Sequence, residues 1–262
     1  LFKRPAEPRL VPTLTQTMLA LAVLFPAFVV GGSMANRLIH LPIAGRLGLS
    51  ALVLVVLFLG WPMLMAWRNH VTIQTGFRLK VPRAVHYLIA LVWGLTIWVW
   101  VYELNILILP PEQLDKLMEL FDQIKLELAQ VPLAWKLTTL AVVPAVCEEW
   151  FFRGYLMSGF RARMGKAQTI LTTAVLFGLF HVIVKDVLFF ERFLPTTIMG
   201  LFLGWLAVNS GSLWPGMLLH VIHNGLQLTI GAYQEQLMSW QINLESRQHL
   251  PWPWLAVTGT LI

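Results

Sequence analysis

Long apolar runs separated by short polar stretches dominate the chain. A membrane-spanning helix needs about 20 mostly apolar residues. Seven runs reach or approach that length: Val11 to Gly32, Leu47 to Trp67, Ala84 to Tyr102, Leu137 to Leu156, Thr169 to Val184, Phe193 to Val208 and Leu213 to Ala232. They are continuous and lack the alternation of a membrane β-strand. An eighth run, Pro251 to Ile262, is too short to span and reads as a truncated last helix. The pattern predicts an all-α polytopic membrane bundle of about seven to eight transmembrane helices.

One segment differs. In Glu112 to Gln130, Leu114, Leu117, Met118, Phe121, Ile124 and Leu128 recur at helical spacing, and charges fill the other positions. Pro110 and Pro111 introduce it. This predicts one amphipathic helix lying on the membrane surface or on the bundle; the sharper alternative is a substrate gate.

Composition supports the membrane reading. Of 262 residues, 57% are apolar and 12% charged, against about 25% charged in a soluble domain. An ordinary soluble enzyme and a disordered chain are both disfavoured. The lone cysteine, Cys147, excludes an intrachain disulfide framework. The net charge of +6 is a topology signal. Basic residues gather in the N-terminal stretch (Lys3, Arg4, Arg9), the second loop (Arg68, Arg78, Lys80, Arg83) and the loop with Arg161, Arg163 and Lys166. Such loops face the cytoplasm, which places the N-terminus there. Their scatter over short loops makes no nucleic-acid-binding patch. The chain opens on Leu1 and stops inside an apolar run, so it reads as a piece of a longer protein; no cleavable signal peptide is evident.

Polar groups at membrane depth are costly and are therefore functional candidates. The fourth run carries Cys147-Glu148-Glu149-Trp150-Phe151-Phe152-Arg153. The two glutamates lie about 100° apart on a helix and face different neighbours. Glu149 and Arg153, four apart, can neutralise each other. Glu148 is left with less help, an environment that suits a general base. Solvation of all three groups at a helix end is the plainer alternative. The fifth run carries Phe177 and His181 on one face, where a lone histidine is often only a hydrogen-bonded core residue. The seventh carries His220-Val221-Ile222-His223-Asn224, with His220 and Asn224 stacked, a cluster that a structural network also explains. Two chemistries fit the three segments together. Glu148 and His181 can polarise a water that attacks a peptide carbonyl, with His220 and Asn224 donating to the oxyanion. Alternatively Glu148, His181 and His220 bind zinc and leave one position for water. The HExxH helix of zinc proteases is absent.

Glu148-Glu149-x-x-x-Arg153, Phe177-x-x-x-His181 and His220-x-x-x-Asn224, in this order on successive helices, resemble the CPBP family. That family takes in the type II CAAX prenyl proteases, the Ras-converting endopeptidase among them, and the bacterial Abi proteins. The resemblance covers roughly Leu137 to Ala232. It implies a membrane-embedded endopeptidase in which Glu148 and His181 activate water and His220 with Asn224 forms the oxyanion site. Glu149, Arg153 and Phe177 would support them. Members are also described as metalloproteases; a mechanism without metal is favoured, with zinc as the alternative. His223 falls outside the family pattern. Three divisions follow: N-terminal membrane helices plus the amphipathic helix (1–136), a catalytic core (137–232), and a loop with the truncated last helix (233–262). The expected surroundings are the lipid bilayer of a bacterial inner membrane and a peptide or protein substrate, prenylated CAAX-type segments included. Fusion or association with a transporter permease would suit a missing start methionine.

Two readings compete with the endopeptidase. One is a non-catalytic immunity or scaffolding protein of the same family, although such a protein has little need for costly polar groups in lipid. The other is a proton-coupled transporter, although neither internal repeats nor paired broken helices are evident.

Overall fold

Prolines mark where many of the helices begin, because a fixed φ and a missing donor suit a first turn. The computed structural model describes residues 9–37, 40–184, 187–188, 190–239 and 249–262. Lys3 and Arg4 of the basic N-terminal stretch, and residues 240–248 of the last division, lie outside these. Helix α1 is Leu14–Arg37 and α2, behind Pro42, is Ile43–Arg68. Helix α3 is Ala84–Ile108, and the amphipathic α4, opened by Pro110, is Pro111–Leu128. Behind Pro132 runs α5 (133–161), a continuous helix of α and π segments. Then come α6 (Lys166–His181), α7 (Phe193–Ser210), α8 (Trp214–Ala232), the short α9 (Gln234–Ser239) and α10 (Trp252–Leu261).

Two π segments precede interior prolines: Val55–Gly60 before Pro62 in α2, and Leu137–Val142 before Pro144 in α5. A proline ring crowds the carbonyl four residues back and removes a donor, so the turn widens. A third, Trp150–Leu156, holds Arg153 and has no proline to explain it.

The helices run between two ends. At one, Arg9 bridges Val71, Leu79 bridges Ser212, Gln16 bonds Asn69, and Leu213 N–H donates to the Arg78 carbonyl. At the other, the Trp135 indole N–H donates to the Ala44 carbonyl, Lys125 meets Gln234, and Glu103 accepts from His249 and from Leu250 N–H. Helix α5 is central, packed by α1, α2, α6, α7 and α8, and every residue from Phe151 to Phe160 is buried. Phe25, Phe28, Phe58, Phe151, Phe152 and Phe180 interlock around it, mostly edge-to-face. That geometry suits the ring quadrupoles.

Four helical stretches are long and apolar enough to cross a membrane: Leu14–Met34, Ile43–Arg68, Ala84–Ile108 and Phe190–Ser210. The seven runs all appear as helices, but α6 has only 16 residues, and α5 and α8 carry the polar groups. The fifth run is shorter than its apolar pattern suggests. It leaves the helix after His181, and Ile183–Val184 pairs antiparallel with Val187–Leu188. The amphipathic helix lies on the bundle with Leu117, Leu120 and Leu128 buried.

Helices α6 and α7 approach closely at Gly200, where a Cβ would lie 2.9 Å from the Ala174 Cα and 3.1 Å from its carbonyl oxygen. Small residues permit such contacts between membrane helices. Gly200→Val is expected to destabilise by about 1–3 kcal/mol through overpacking. Thermal unfolding in detergent should show the loss; an unchanged midpoint would mean the pair can part without cost.

Candidate active site

The middle of α5, the end of α6 and the middle of α8 bring the three sequence motifs together. Glu148 Oε2 lies 3.6 Å from His181 Nε2 and 3.9 Å from His220 Nε2. The Glu148 side chain is 12% exposed and that of His181 21%, so both reach the cavity wall. His181 Nδ1 is 2.8 Å from the Phe177 carbonyl oxygen. A carbonyl only accepts, so Nδ1 carries the proton, and in the neutral ring Nε2 turns a lone pair toward Glu148. Oε2 of Glu148 is buried and has no hydrogen-bond partner among the described residues. Two acceptors at this separation leave room for a bridging donor.

Glu149 and Arg153 are fully buried, and Arg153 donates to Glu149 Oε1 at 2.6 Å. Its other terminal nitrogen donates to the Gly200 carbonyl at 3.2 Å. Its guanidinium lies 4.5 Å from the Phe177 ring centroid, a cation–π contact. Phe177 also packs against His181 and His220, at 4.4 and 5.8 Å between centroids. Glycine at 216 makes room for the Glu149 carboxylate, because a Cβ there would sit 2.8 Å from Oε2.

Helical spacing placed the two glutamates among different neighbours, and only Glu149 takes Arg153. Both nevertheless face His220. Glu149 Oε1 is 3.4 Å from its Nδ1, on the opposite side of the ring from Glu148. Asn224 lines the cavity one turn beyond His220. His223, outside the family pattern, also lines it, and its Nε2 is 2.8 Å from the Gln227 amide.

The cavity has a volume of about 500 Å³, ordinary for a small-ligand or peptide site. Residues of α3, α4, α5, α6, α7 and α8 wall it, Tyr102, Met118 and Met199 among them. A second cavity of about 700 Å³ adjoins it and shares Met118, Leu140, Arg192, Asn224, Gln227 and Ile230. Helix α4 forms one wall of both. Tyr102, Arg192 and Gln227 are cavity residues that the motifs did not indicate. Arg192 stands at the start of an apolar run and Gln227 one turn past His223; neither position carries a signal in one sequence.

Among the described residues, no group of three or more His, Cys, Asp or Glu side chains is arranged to hold a metal ion. Glu148, His181 and His220, the zinc set considered from the sequence, meet around the cavity but do not form such a group.

Residues 130–226 match the family model of the type II CAAX prenyl endopeptidase Rce1-like proteins, a protease family. The match spans the start of α5 to the middle of α8 and contains every motif residue named above. No curated protein and no solved structure matches the chain. The four helical stretches of spanning length and the match to a membrane protease family together point to an integral membrane protein.

Proposed function

We propose, from the match of residues 130–226 to the type II CAAX prenyl endopeptidase Rce1-like family model, that the protein is an intramembrane endopeptidase. It hydrolyses a peptide bond of a membrane-associated substrate, prenylated CAAX-type segments being one class. The observation that carries this is the pair of acceptors, Glu148 Oε2 and His181 Nε2, facing each other at 3.6 Å on a cavity wall. A water bridging them donates one hydrogen to each, which leaves its oxygen lone pairs free to face a bound carbonyl. Attack forms the C–O bond while Glu148 takes the water's proton. His220 and Asn224 hydrogen-bond the developing oxyanion in a site of low dielectric. Collapse breaks the C–N bond, and Glu148 passes its proton to the leaving amine. The seven helical runs, alternating between the two ends of the bundle, are read as seven traversals of a bacterial inner membrane, with the N-terminus in the cytoplasm.

The test compares cells expressing wild type or Glu148→Gln at matched levels, by mass spectrometry of released peptides and new protein C-termini. Products that appear only with wild type are expected. Identical profiles with both proteins intact in the membrane would move the chain to the immunity or scaffold reading. The mechanism is drawn without a metal, so turnover should survive 1,10-phenanthroline. Loss on chelation, restored by zinc, would reassign Glu148, His181 and His220 as ligands.

A further inference from the structure

We infer that Arg192 forms a carboxylate-binding subsite where the two cavities meet, and that the protein selects peptides carrying a carboxylate about three residues from the bond it cuts. The subsite rests on the endopeptidase reading for the nature of its ligand.

Among the described residues that line the catalytic cavity, Arg192 is the one Lys or Arg. It ends the turn Phe190–Arg192 and caps α7, where the Thr196 hydroxyl donates to its carbonyl at 2.6 Å. The backbone is thus pinned while the long side chain lies half-buried on the wall. Arg78, Arg153 and Arg161 each hold a carbonyl or a carboxylate. Among the described residues Arg192 makes no ion pair and no side-chain hydrogen bond. A cation left without a partner at membrane depth is costly, and its partner is then sought in a ligand. Glu148 and Glu191 share the wall, so balancing their charge is the plainer role. Arg192, however, also lines the second cavity, which those two glutamates do not reach. There it stands with Lys136, half-buried and likewise without an ion pair among the described residues, and with Asp122, Lys125 and Glu235.

The ligand of an endopeptidase is a polypeptide, and the native anions of a polypeptide are carboxylates. A guanidinium grips a carboxylate through two parallel N–H···O bonds, which fixes one group at one place. The spacing comes from α8. His220, His223, Asn224 and Gln227 recur at helical spacing, share one face, and all line the catalytic cavity. Asn224 and Gln227 line the second cavity as well. His220 stands 3.9 Å from Glu148. Gln227, 2.8 Å from His223, stands with Arg192 at the junction. The helix rises about 10 Å from His220 to Gln227, a distance an extended peptide covers in about three residues. A substrate laid along this face with its scissile carbonyl at Glu148 therefore sets a group about three residues away against Arg192. A chain terminus and an Asp or Glu side chain offer the same chemistry there.

The test starts from the Glu148-dependent cleavage sites mapped in cells. Synthetic peptides spanning each site are made in matched acid and amide forms. In one series the C-terminus is free or amidated; in the other, Asp or Glu near the cut is kept or replaced by Asn or Gln. Purified wild type and Arg192→Gln cleave them in detergent, and kcat and KM are measured. Wild type should favour the acid form by about ten- to a hundredfold in kcat/KM. Arg192→Gln should bring that ratio near one, mainly through a higher KM for the acid form. Arg192→Lys keeps the charge without the fork and should retain part of the preference; it replaces Arg192→Gln if that variant fails to fold. A preference lost on C-terminal amidation assigns the chain terminus, and one lost with Asn or Gln assigns a side chain. No preference in wild type overturns the subsite and leaves the peptidase reading standing. So does an equal fall for both forms in Arg192→Gln, which would make Arg192 only a counter-charge to Glu148 and Glu191. If no Glu148-dependent site is found in cells, the peptidase reading falls and the subsite falls with it.

Discussion

Glu148→Gln should lower peptide hydrolysis by about a thousandfold or more while leaving membrane abundance near that of wild type. A positioned general base contributes about 10²–10⁴-fold, and groups acting as a unit fall together when one is removed. Glutamine keeps the shape of the side chain but cannot take a proton from water. The fold has little stake in the charge, because Arg153 is held by Glu149 and Glu148 Oε2 has no hydrogen-bond partner among the described residues. His181→Ala should fall by a similar order. The Glu148→Gln, His181→Ala double variant should be scarcely worse than either alone, since both side chains serve one water. Turnover at matched protein levels is the measurement. A Glu148→Gln enzyme that keeps more than about a tenth of wild-type activity would put the base elsewhere.

How much of this could be read in advance depends on whether a feature is local. The helices were legible, because apolar runs of spanning length and proline at first turns are local signals. So was α4, whose apolar stripe fits Leu117 and Leu128 against the bundle, although Leu120, outside that stripe, is buried there too. Three motifs on separate helices pointed to one site because polar groups in lipid must find each other. The bridging position of His220 was not legible. It depends on how α8 crosses α5, with Glu149 at 3.4 Å on one side of the ring and Glu148 at 3.9 Å on the other. The π segments were hidden as well, since a widened turn leaves the apolar pattern almost unchanged. Arg192 and Gln227 belong to the cavity only because the ends of α7 and α8 meet there. The end of α6 at His181 was missed because the apolar residues continue into Ile183–Val184, and hydropathy does not distinguish a helix from the turn after it.

Arg153→Ala should cost about 3–5 kcal/mol and cut membrane abundance sharply, because removing one member of a buried ion pair leaves the other charge uncompensated. Glu149 and Arg153 are both fully buried and meet at 2.6 Å. The same guanidinium also holds the Gly200 carbonyl and stacks on Phe177, so the change opens a gap between α5, α6 and α7. Abundance of Arg153→Ala equal to wild type would refute the pair's structural role. Replacing both members by apolar residues of similar volume separates structure from chemistry, since such swaps of buried pairs are often neutral or stabilising. Glu149→Leu with Arg153→Met should restore abundance and the thermal midpoint in detergent. It should not restore cleavage. His220 would lose the carboxylate beside its Nδ1, and a ring that is no longer oriented by a third group cannot hold Nε2 in place over the cavity. If the double variant is both abundant and fully active, Glu149 has no part in positioning His220, and the pair is only a strut.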